Sequence, residues 1–204
     1  MMRSYAAAAV ALSLLAGAAQ AAQPAGLPGS ASTAAAQAGT YMADPNHTQV
    51  IWRVNHMGFS PLSGMFGQIT GTLQLDPARP AASTVQMDIP VSGLVVTSPA
   101  FNQHLRTPDL FDEAKFPTAR FVSKSVQANG QQATITGDLT MHGVTKPVTL
   151  QARFFGAGVN PQNKKQTVGF TATAKLKRSD WGLGFAVPVV ADEVELLIAA
   201  AFEK

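Results

Sequence analysis

Apolar and polar residues alternate with a period of two over most of the chain from position 48 onward. In the first such stretch, Val50, Trp52 and Val54 share one face, and the polar residues Gln49 and Arg53 fall on the other. Successive side chains of a β-strand point to opposite faces, so the pattern predicts strands with one apolar and one polar side. Buried parallel strands are apolar on both sides, and the pattern therefore favours an antiparallel sheet.

Eight stretches show this alternation and predict eight strands. They cover residues 49–55, 65–75, 84–91, 118–126, 133–141, 148–154, 168–176 and 194–202. Asn129 and Gly130 predict a hairpin turn because both residues tolerate positive φ. Ser98 followed by Pro99 is typical of a helix N-cap and its first turn, which predicts a short helix over residues 99–105. The predicted fold is all-β, with one short helical insertion between strands three and four.

An eight-stranded antiparallel sheet with one apolar side has two common solutions, a sandwich or a closed barrel, and the alternation does not separate them. Small residues are frequent on the apolar side of the last four strands: Ala133, Gly137, Ala152, Ala172, Ala174 and Ala200. In a barrel, small inward residues favour a ligand cavity. The alternative is that larger inward residues such as Trp52, Phe121 and Phe170 fill the interior.

The first forty residues predict a secretory signal and a linker. Arg3, an apolar run over residues 6–18 and the small-residue pattern ending at Ala21 are typical of a signal peptide cleaved after Ala21. The run is shorter than the roughly 18 apolar residues of a membrane-spanning helix. We therefore expect residues 1–21 to be removed and the protein to be periplasmic. Residues 22–40 are small, uncharged and aperiodic, which predicts a disordered linker before a folded domain over residues 41–204.

Several functional classes are disfavoured by composition. The absence of cysteine excludes disulfides, thiolate metal sites and cysteine nucleophiles. The net charge of +3 and the lack of a long basic run give no indication of a nucleic-acid partner. None of the four histidines has the spacing of a helical metal motif, although a site assembled from His47 and His56 stays open. With no serine-nucleophile elbow or phosphate loop, the sequence predicts no catalytic residue, metal or cofactor.

Four motifs follow one another along the predicted domain. They are DPNHTQVIWRVNHMG at residues 44–58 with SGMFG at 63–67 and GTL at 71–73; HLRTPDLFD at 104–112 with KFPTARF at 115–121; GDLTMHGVTKPV at 137–148; and RSDWG at 178–182 with DEV at 192–194. In this order and spacing they resemble the YceI-like family of secreted bacterial proteins over about residues 41–202.

The resemblance implies a lipocalin-like antiparallel β-barrel that encloses a long-chain apolar ligand, such as a polyisoprenoid, an isoprenoid quinone or a related amphiphilic lipid. The chain departs from the family in one place. Many members carry an Arg-Asp pair shortly before the second motif, where this sequence has Phe101 and Asn102. The loss of two charges there indicates a less charged ligand.

We predict that the apolar side of the barrel lines the ligand cavity. The predicted lining consists of Val50, Trp52, Val54, Met65, Ile69, Met87, Ile89, Ile135, Leu139, Leu150, Phe154, Phe170, Ala172, Ala174 and Ile198, with His104 and Arg106 as a polar rim. The predicted function is sequestration or transport of the ligand without turnover, with transient membrane contact. Two alternatives stay open, a metal-assisted enzyme acting on such a lipid and a stress or interaction barrel that packs its own interior. The sequence does not indicate the oligomeric state.

Overall fold

The computed structural model describes residues 26–204, in which an antiparallel β-sheet closes on itself. Its strands are β1 (Gly39–Ala43), β2 (Gln49–His56), β3 (Ser60–Phe66), β4 (Thr70–Leu75), β5 (Thr84–Pro90), β6 (Leu94–Val95), β7 (Thr118–Asn129), β8 (Gln132–Met141), β9 (Val144–Val159), β10 (Gln166–Lys177) and β11 (Val190–Glu203). The helix α1 (Pro99–Leu105) lies between β6 and β7. Within residues 26–204, no helix is long and apolar enough to cross a membrane.

Consecutive strands are neighbours around the barrel. The pairs β1 with β2, β3 with β4 and β5 with β6 each act as one bent strand, so the sheet has eight strand positions. β11 pairs with β10 on one side and with both β1 and β2 on the other, which closes the sheet. The predicted all-β class, the eight-stranded antiparallel barrel and the single short helix between the third and fourth positions are confirmed.

The helix begins where its N-terminal signal predicts. Ser98 Oγ accepts a hydrogen bond from the backbone N–H of Phe101 at 3.3 Å, and Pro99 occupies the first turn. The buried Leu105 ends the helix and packs with Trp52 and Leu94 in one apolar cluster. The helix is thus fixed over one end of the barrel.

Met65 lies on the outside of the barrel, so its predicted place in the cavity lining is wrong. Leu62 and Phe66 of the same strand contribute to the interior cluster beneath α1, whereas Met65 is 38% exposed. Between β3 and β4, Gln68 adopts a φ of 57°, and this irregularity shifts the inward parity from even to odd positions before Ile69. A continuous period of two from Met65 to Ile69 therefore assigns Met65 to the wrong face of the strand.

Residues 28–38, which we call the plug, lie against one end of the barrel. Ser30 forms an antiparallel bridge with Ala157, and Thr33–Ala35 form a turn of 3-10 helix. This part of the predicted disordered linker is therefore packed on the domain. The composition gave no sign of it because the hydrogen-bond partners of the plug come from distant strands. The predicted signal peptide, residues 1–21, lies outside the described residues.

Candidate ligand-binding cavity

The interior of the barrel contains a cavity of about 530 Å³. Most of the predicted lining residues border it: Val50, Trp52, Val54, Ile69, Met87, Ile89, Ile135, Leu139, Leu150, Phe170, Ala172 and Ile198. The large inward residues do not fill the space, which was the alternative that the alternation left open. Whether these side chains contact a ligand stays a prediction.

Two predicted lining residues are inward but lie away from the cavity. Phe154 packs with Tyr41 and Phe202 in a buried cluster. Ala174 packs with Phe121 and Trp181 in another cluster. Neither residue borders the cavity of about 530 Å³, which corrects the prediction for Ala174, whereas Phe154 borders a second, smaller pocket. Alternation identifies the inward face of a strand, but the height at which the interior becomes empty depends on the side chains of other strands.

Residues outside the regular strands also form the wall, and the period of two gave no signal for them. Phe101 projects from α1, Leu110 and Phe111 follow the helix, and Leu183 and Phe185 belong to the loop between β10 and β11. Phe101 occupies one of the two places where many family members carry a charge, and here it extends the apolar wall. The helix α1 and the loops thus complete the wall of this cavity.

The cavity reaches the surface at one end of the barrel, which we call the mouth. The exposed residues among its lining are Met57, Phe185 and Ala186. The turn after β2 and the loop before β11 meet there, because His56 pairs with Val190. Further exposed apolar side chains lie beside the opening, namely Phe59 at 87% exposure and Val189 at 60%.

Arg178 borders the cavity but has four of its five N–H donors occupied by carbonyl oxygens near the mouth. Its guanidinium donates hydrogen bonds to the carbonyl oxygens of Leu183, Phe185, Val190 and Ala191, at 2.5 to 2.9 Å. Burial lowers the pKa of Arg178, and the nearby carboxylate of Asp192 partly opposes this shift. An arginine side chain remains charged in proteins nonetheless. Arg178 therefore shapes the mouth instead of offering a free charge to a ligand.

The two residues of the predicted polar rim have different surroundings. His104 borders the cavity, and its ring forms a T-shaped contact with the ring of Phe185 at a centroid separation of 5.7 Å. Arg106 does not border the cavity, because its guanidinium donates to Leu94 O at 2.7 Å and pairs with Glu113 at 3.1 Å. Asn102 accepts a further bond from Arg106 at 3.0 Å. Arg106 thus fixes the C-terminal end of α1 to its surroundings. The prediction that it belongs to the polar rim is wrong.

The indole ring of Trp52 packs closely against a glycine of the neighbouring strand. It pairs with Gly64 of β3, where a Cβ atom would come within 2.4 Å of the indole ring. The indole Nε1 of Trp52 is buried without a hydrogen-bond partner, whereas that of Trp181 donates to Leu139 O at 3.0 Å. Since Trp52 borders the cavity, its fluorescence is a natural reporter of occupancy.

The histidine pair that the sequence left open is not brought together. His47 pairs with Asp44 before β2 begins, whereas His56 is the last residue of β2 and borders the mouth. At about 3.3 Å per strand residue the two lie more than roughly 20 Å apart. Among residues 26–204, no group of three or more His, Asp or Glu side chains is arranged to hold a metal ion.

Comparison with known proteins bears on this barrel directly. The model of the YceI-like domain matches residues 41–202. The chain belongs to the YceI-like family. It is 38% identical to Protein YceI of Escherichia coli O157:H7 over 170 residues, which cover 82% of this chain and 88% of that protein. The resemblance seen in the sequence motifs is therefore confirmed.

Solved structures share the fold of this YceI-like domain. BcnA of Burkholderia cenocepacia superimposes with a TM-score of 0.70 at 27% identity, covering 78% of this chain and 98% of that one. A polyisoprenoid binding domain from Saccharophagus degradans, implicated in plant cell wall breakdown, gives a TM-score of 0.60. It covers 82% of this chain and 99% of its own, at 12% identity, so this likeness concerns the fold alone.

Proposed function

We propose that this protein binds and carries a long-chain apolar molecule inside its barrel, namely a polyisoprenoid, an isoprenoid quinone or a related amphiphilic lipid. The cavity of about 530 Å³, with its predominantly apolar wall, carries this proposal. Its volume lies within the roughly 300–1,000 Å³ that is common for small-molecule sites. The Saccharophagus domain of the same fold is described as polyisoprenoid-binding, which supports the ligand class.

Binding in such a cavity is driven by removal of the chain from water. Each buried methylene contributes about 0.8 kcal/mol, so an extended hydrocarbon chain needs few polar contacts to bind. The wall gains as well, because side chains beside an empty space lack dispersion partners. A ligand is therefore held by its length and shape more than by its head group.

The mouth favours a weakly polar or neutral head group. Arg106 and Arg178 have donors committed to protein carbonyls, and Phe101 stands where many family members have a charge. Asn102 is occupied as well, since it donates to Leu94 O at 3.0 Å. His56 and His104 are the imidazoles that border the opening. An alcohol or a quinone ring suits this environment better than a diphosphate.

We propose further that the ligand leaves unchanged and that the protein enters the periplasm by its signal peptide. The signal pattern ending at Ala21 supports export. N-terminal sequencing of protein from the periplasmic fraction is expected to begin at Ala22. Recovery of intact Met1 on periplasmic protein would contradict this.

The mouth also provides a route for the ligand. Met57, Phe59, Phe185 and Val189 expose apolar surface around the opening through which the cavity reaches solvent. A long apolar molecule resides in a membrane rather than in water. We therefore propose that the mouth makes transient contact with a lipid bilayer when the ligand enters or leaves.

Mass spectrometry of an organic extract of the purified protein tests the carrier function. A co-purifying isoprenoid or other long-chain lipid is expected, and the extract of Ala172→Leu, with a larger side chain in the cavity wall, should contain less. Thr173→Leu, on the exposed face of the same strand, is the matched control and should retain the wild-type amount. Protein that yields no lipid and takes up neither solanesol nor ubiquinone would contradict the carrier function. Chemical change of either compound during incubation would favour the enzyme alternative.

A further inference from the structure

The plug lies across part of the end of the barrel opposite to the mouth. It precedes the family domain, which begins at Tyr41. Ser30 and Ala157 exchange backbone hydrogen bonds of 2.8 and 2.9 Å. They do so where β9 continues past β8, because β8 begins at Gln132, opposite Arg153. The plug thereby covers a length of strand edge that β8 does not reach.

Four side chains of the barrel hold the plug by its backbone. Hydrogen bonds run from Gln131 Nε2 to Ala31 O at 2.6 Å, from Gln166 Nε2 to Ala35 O at 3.3 Å, from Tyr41 Oη to Gln37 O at 2.8 Å and from Lys204 Nζ to Ala38 O at 2.6 Å. The donors come from the β7–β8 turn, from β10, from β1 and from Lys204, which follows β11. These bonds supply the specific docking that a segment of mostly small residues cannot obtain from apolar area alone.

A second pocket of about 180 Å³ lies beneath the plug. Thr33 and Ala36 border it on the plug side. Five residues of the barrel border both this pocket and the main cavity: Leu73, Val85, Ile135, Ala152 and Phe170. The two spaces are therefore adjacent, and the plug forms one wall of the second pocket, whose lining also includes exposed residues such as Pro80 and Gln132.

We propose that the plug sets the length of the chain that the barrel accepts. Taking the carrier function proposed above as given, an apolar chain that enters at the mouth passes through the main cavity and ends in the pocket beneath the plug. A longer chain either displaces the plug and breaks its hydrogen bonds, or leaves its apolar end in water at the open side of the pocket, and both are unfavourable. A shorter chain leaves the pocket empty and loses the dispersion contacts of its walls. The plug is thus a specificity determinant that lies outside the family domain.

The first experiment partly fills the pocket beneath the plug. Ala36→Phe places a large side chain in the pocket from the plug side, and Ala34→Phe makes the same change at an exposed position of the same turn. The affinities of full-length wild type and variants are measured for farnesol, geranylgeraniol and solanesol, which are prenyl alcohols of increasing length. We expect Ala36→Phe to lower the affinity for solanesol relative to farnesol several-fold, and Ala34→Phe to leave that ratio unchanged.

The second experiment weakens the attachment of the plug to the barrel. The double variant Gln131→Ala with Gln166→Ala removes two of the four anchors, and Gln37→Ala removes an exposed amide of the plug itself. The double variant should shift the affinity ratio towards solanesol several-fold, while Gln37→Ala matches wild type. Because the two sets of changes act in opposite directions, loss of folding in one set cannot imitate the expected pair of results.

The outcomes separate the two proposals. If wild type binds the alcohols but neither Ala36→Phe nor the double variant changes the affinity ratio, the plug does not select chain length, and the carrier function stands. If wild type binds none of the three alcohols, the carrier function for prenyl chains fails, and the proposed role of the plug fails with it. Opposite shifts in the two sets, with unchanged controls, support both.

Discussion

At the scale of single residues, Ala172 and Ala174 show what alternation can and cannot reveal. Both were expected on the apolar face of one strand, and both are buried on that face. Ala172 borders the cavity, whereas Ala174 lies in a packed cluster with Phe121 and Trp181. The sequence could not separate them because the difference is set by large side chains on other strands.

This separation gives opposite expectations for two similar substitutions. Ala172→Leu extends into empty space, so the free energy of unfolding of the ligand-free protein should change by less than about 1 kcal/mol while ligand affinity falls. Ala174→Leu overpacks its cluster and should lower the free energy of unfolding by about 1–3 kcal/mol. Urea unfolding of delipidated protein measures both, since bound ligand would itself raise stability.

Thr173→Leu is the control, because Thr173 lies between the two alanines and is exposed. It should leave affinity and stability close to wild type. Equal destabilisation by Ala172→Leu and Ala174→Leu, with unchanged ligand affinity in both, would indicate that the interior beside Ala172 is packed.

Met65 is a different kind of error at the same scale. A single period of two from Met65 through Ile69 assigns Met65 to the wrong face, because the backbone at Gln68 has a positive φ and breaks the register. Glutamine carries no strong preference for this conformation, unlike glycine or asparagine, so nothing in the residue type indicated the break. The correct lining residues of that strand, Leu62 and Phe66, follow only once the break is known.

At the scale of elements, the strands and α1 could be predicted because each carries a local signal. The cap at Ser98 and the proline after it placed the helix at Pro99–Leu105, where the structure has it. The Asn129–Gly130 signal likewise falls at the end of β7, where Gly130 has a φ of 59°. The plug had no local signal, because its order depends on donors such as Gln166 and Lys204, which are far away in sequence.

The turn between β9 and β10 is held by one buried carboxylate. Glu203 accepts hydrogen bonds from Asn163 Nδ2 at 2.9 and 3.0 Å and from Asn160 Nδ2 at 3.2 Å, and it pairs with Lys165 at 3.5 Å. The hydrogen bonds from Asn163 are the largest cause that lowers the pKa of Glu203 from its ordinary value of 4.5, while burial opposes the shift. A carboxylate whose pKa is lowered in the folded state stabilises the protein at pH values above its ordinary pKa. This contribution is lost as the pH falls through the folded-state pKa.

We therefore expect a pH-dependent effect of Asn163→Ala. At neutral pH the substitution should lower the free energy of unfolding by about 1–3 kcal/mol, because it removes donors from a buried carboxylate. Below pH 4.5 the difference from wild type should shrink as Glu203 becomes protonated. Denaturant unfolding over a series of pH values measures this. Gln162→Ala, at the exposed neighbouring position, should show no such dependence. A difference that stays constant with pH would mean that Asn163 acts independently of the charge on Glu203.

At the scale of the whole molecule, the alternation of apolar and polar residues does not determine whether the sheet closes into a barrel. A sandwich and a barrel use the same alternation, and the choice depends on whether the last strand meets the first. Here β11 pairs with β1 at its C-terminal end and with β2 over most of its length. These contacts join parts of the chain that are about 150 residues apart, which no local pattern encodes. The family resemblance supplied the answer because it reports on whole folds.

The two ends of the barrel differ in their surfaces, and this difference predicts which end meets a membrane. Apolar side chains surround the mouth, while the plug and the turn held by Glu203 lie at the other end. Wild-type protein should therefore float with phosphatidylcholine vesicles, and added salt should change this little because the contact is apolar. The double variant Phe59→Ser with Val189→Ser should float several-fold less and should take up solanesol from vesicles more slowly.

The matched control is Val159→Ser, since Val159 is 53% exposed at the far end of the barrel, compared with 60% for Val189 at the mouth. It should behave as wild type in both assays. All variants should bind solanesol equally once it is supplied in detergent, because none of the three positions borders the main cavity. Equal flotation of the mouth variant and the control would show that the bilayer does not meet the mouth. A ligand would then have to reach the cavity from another protein.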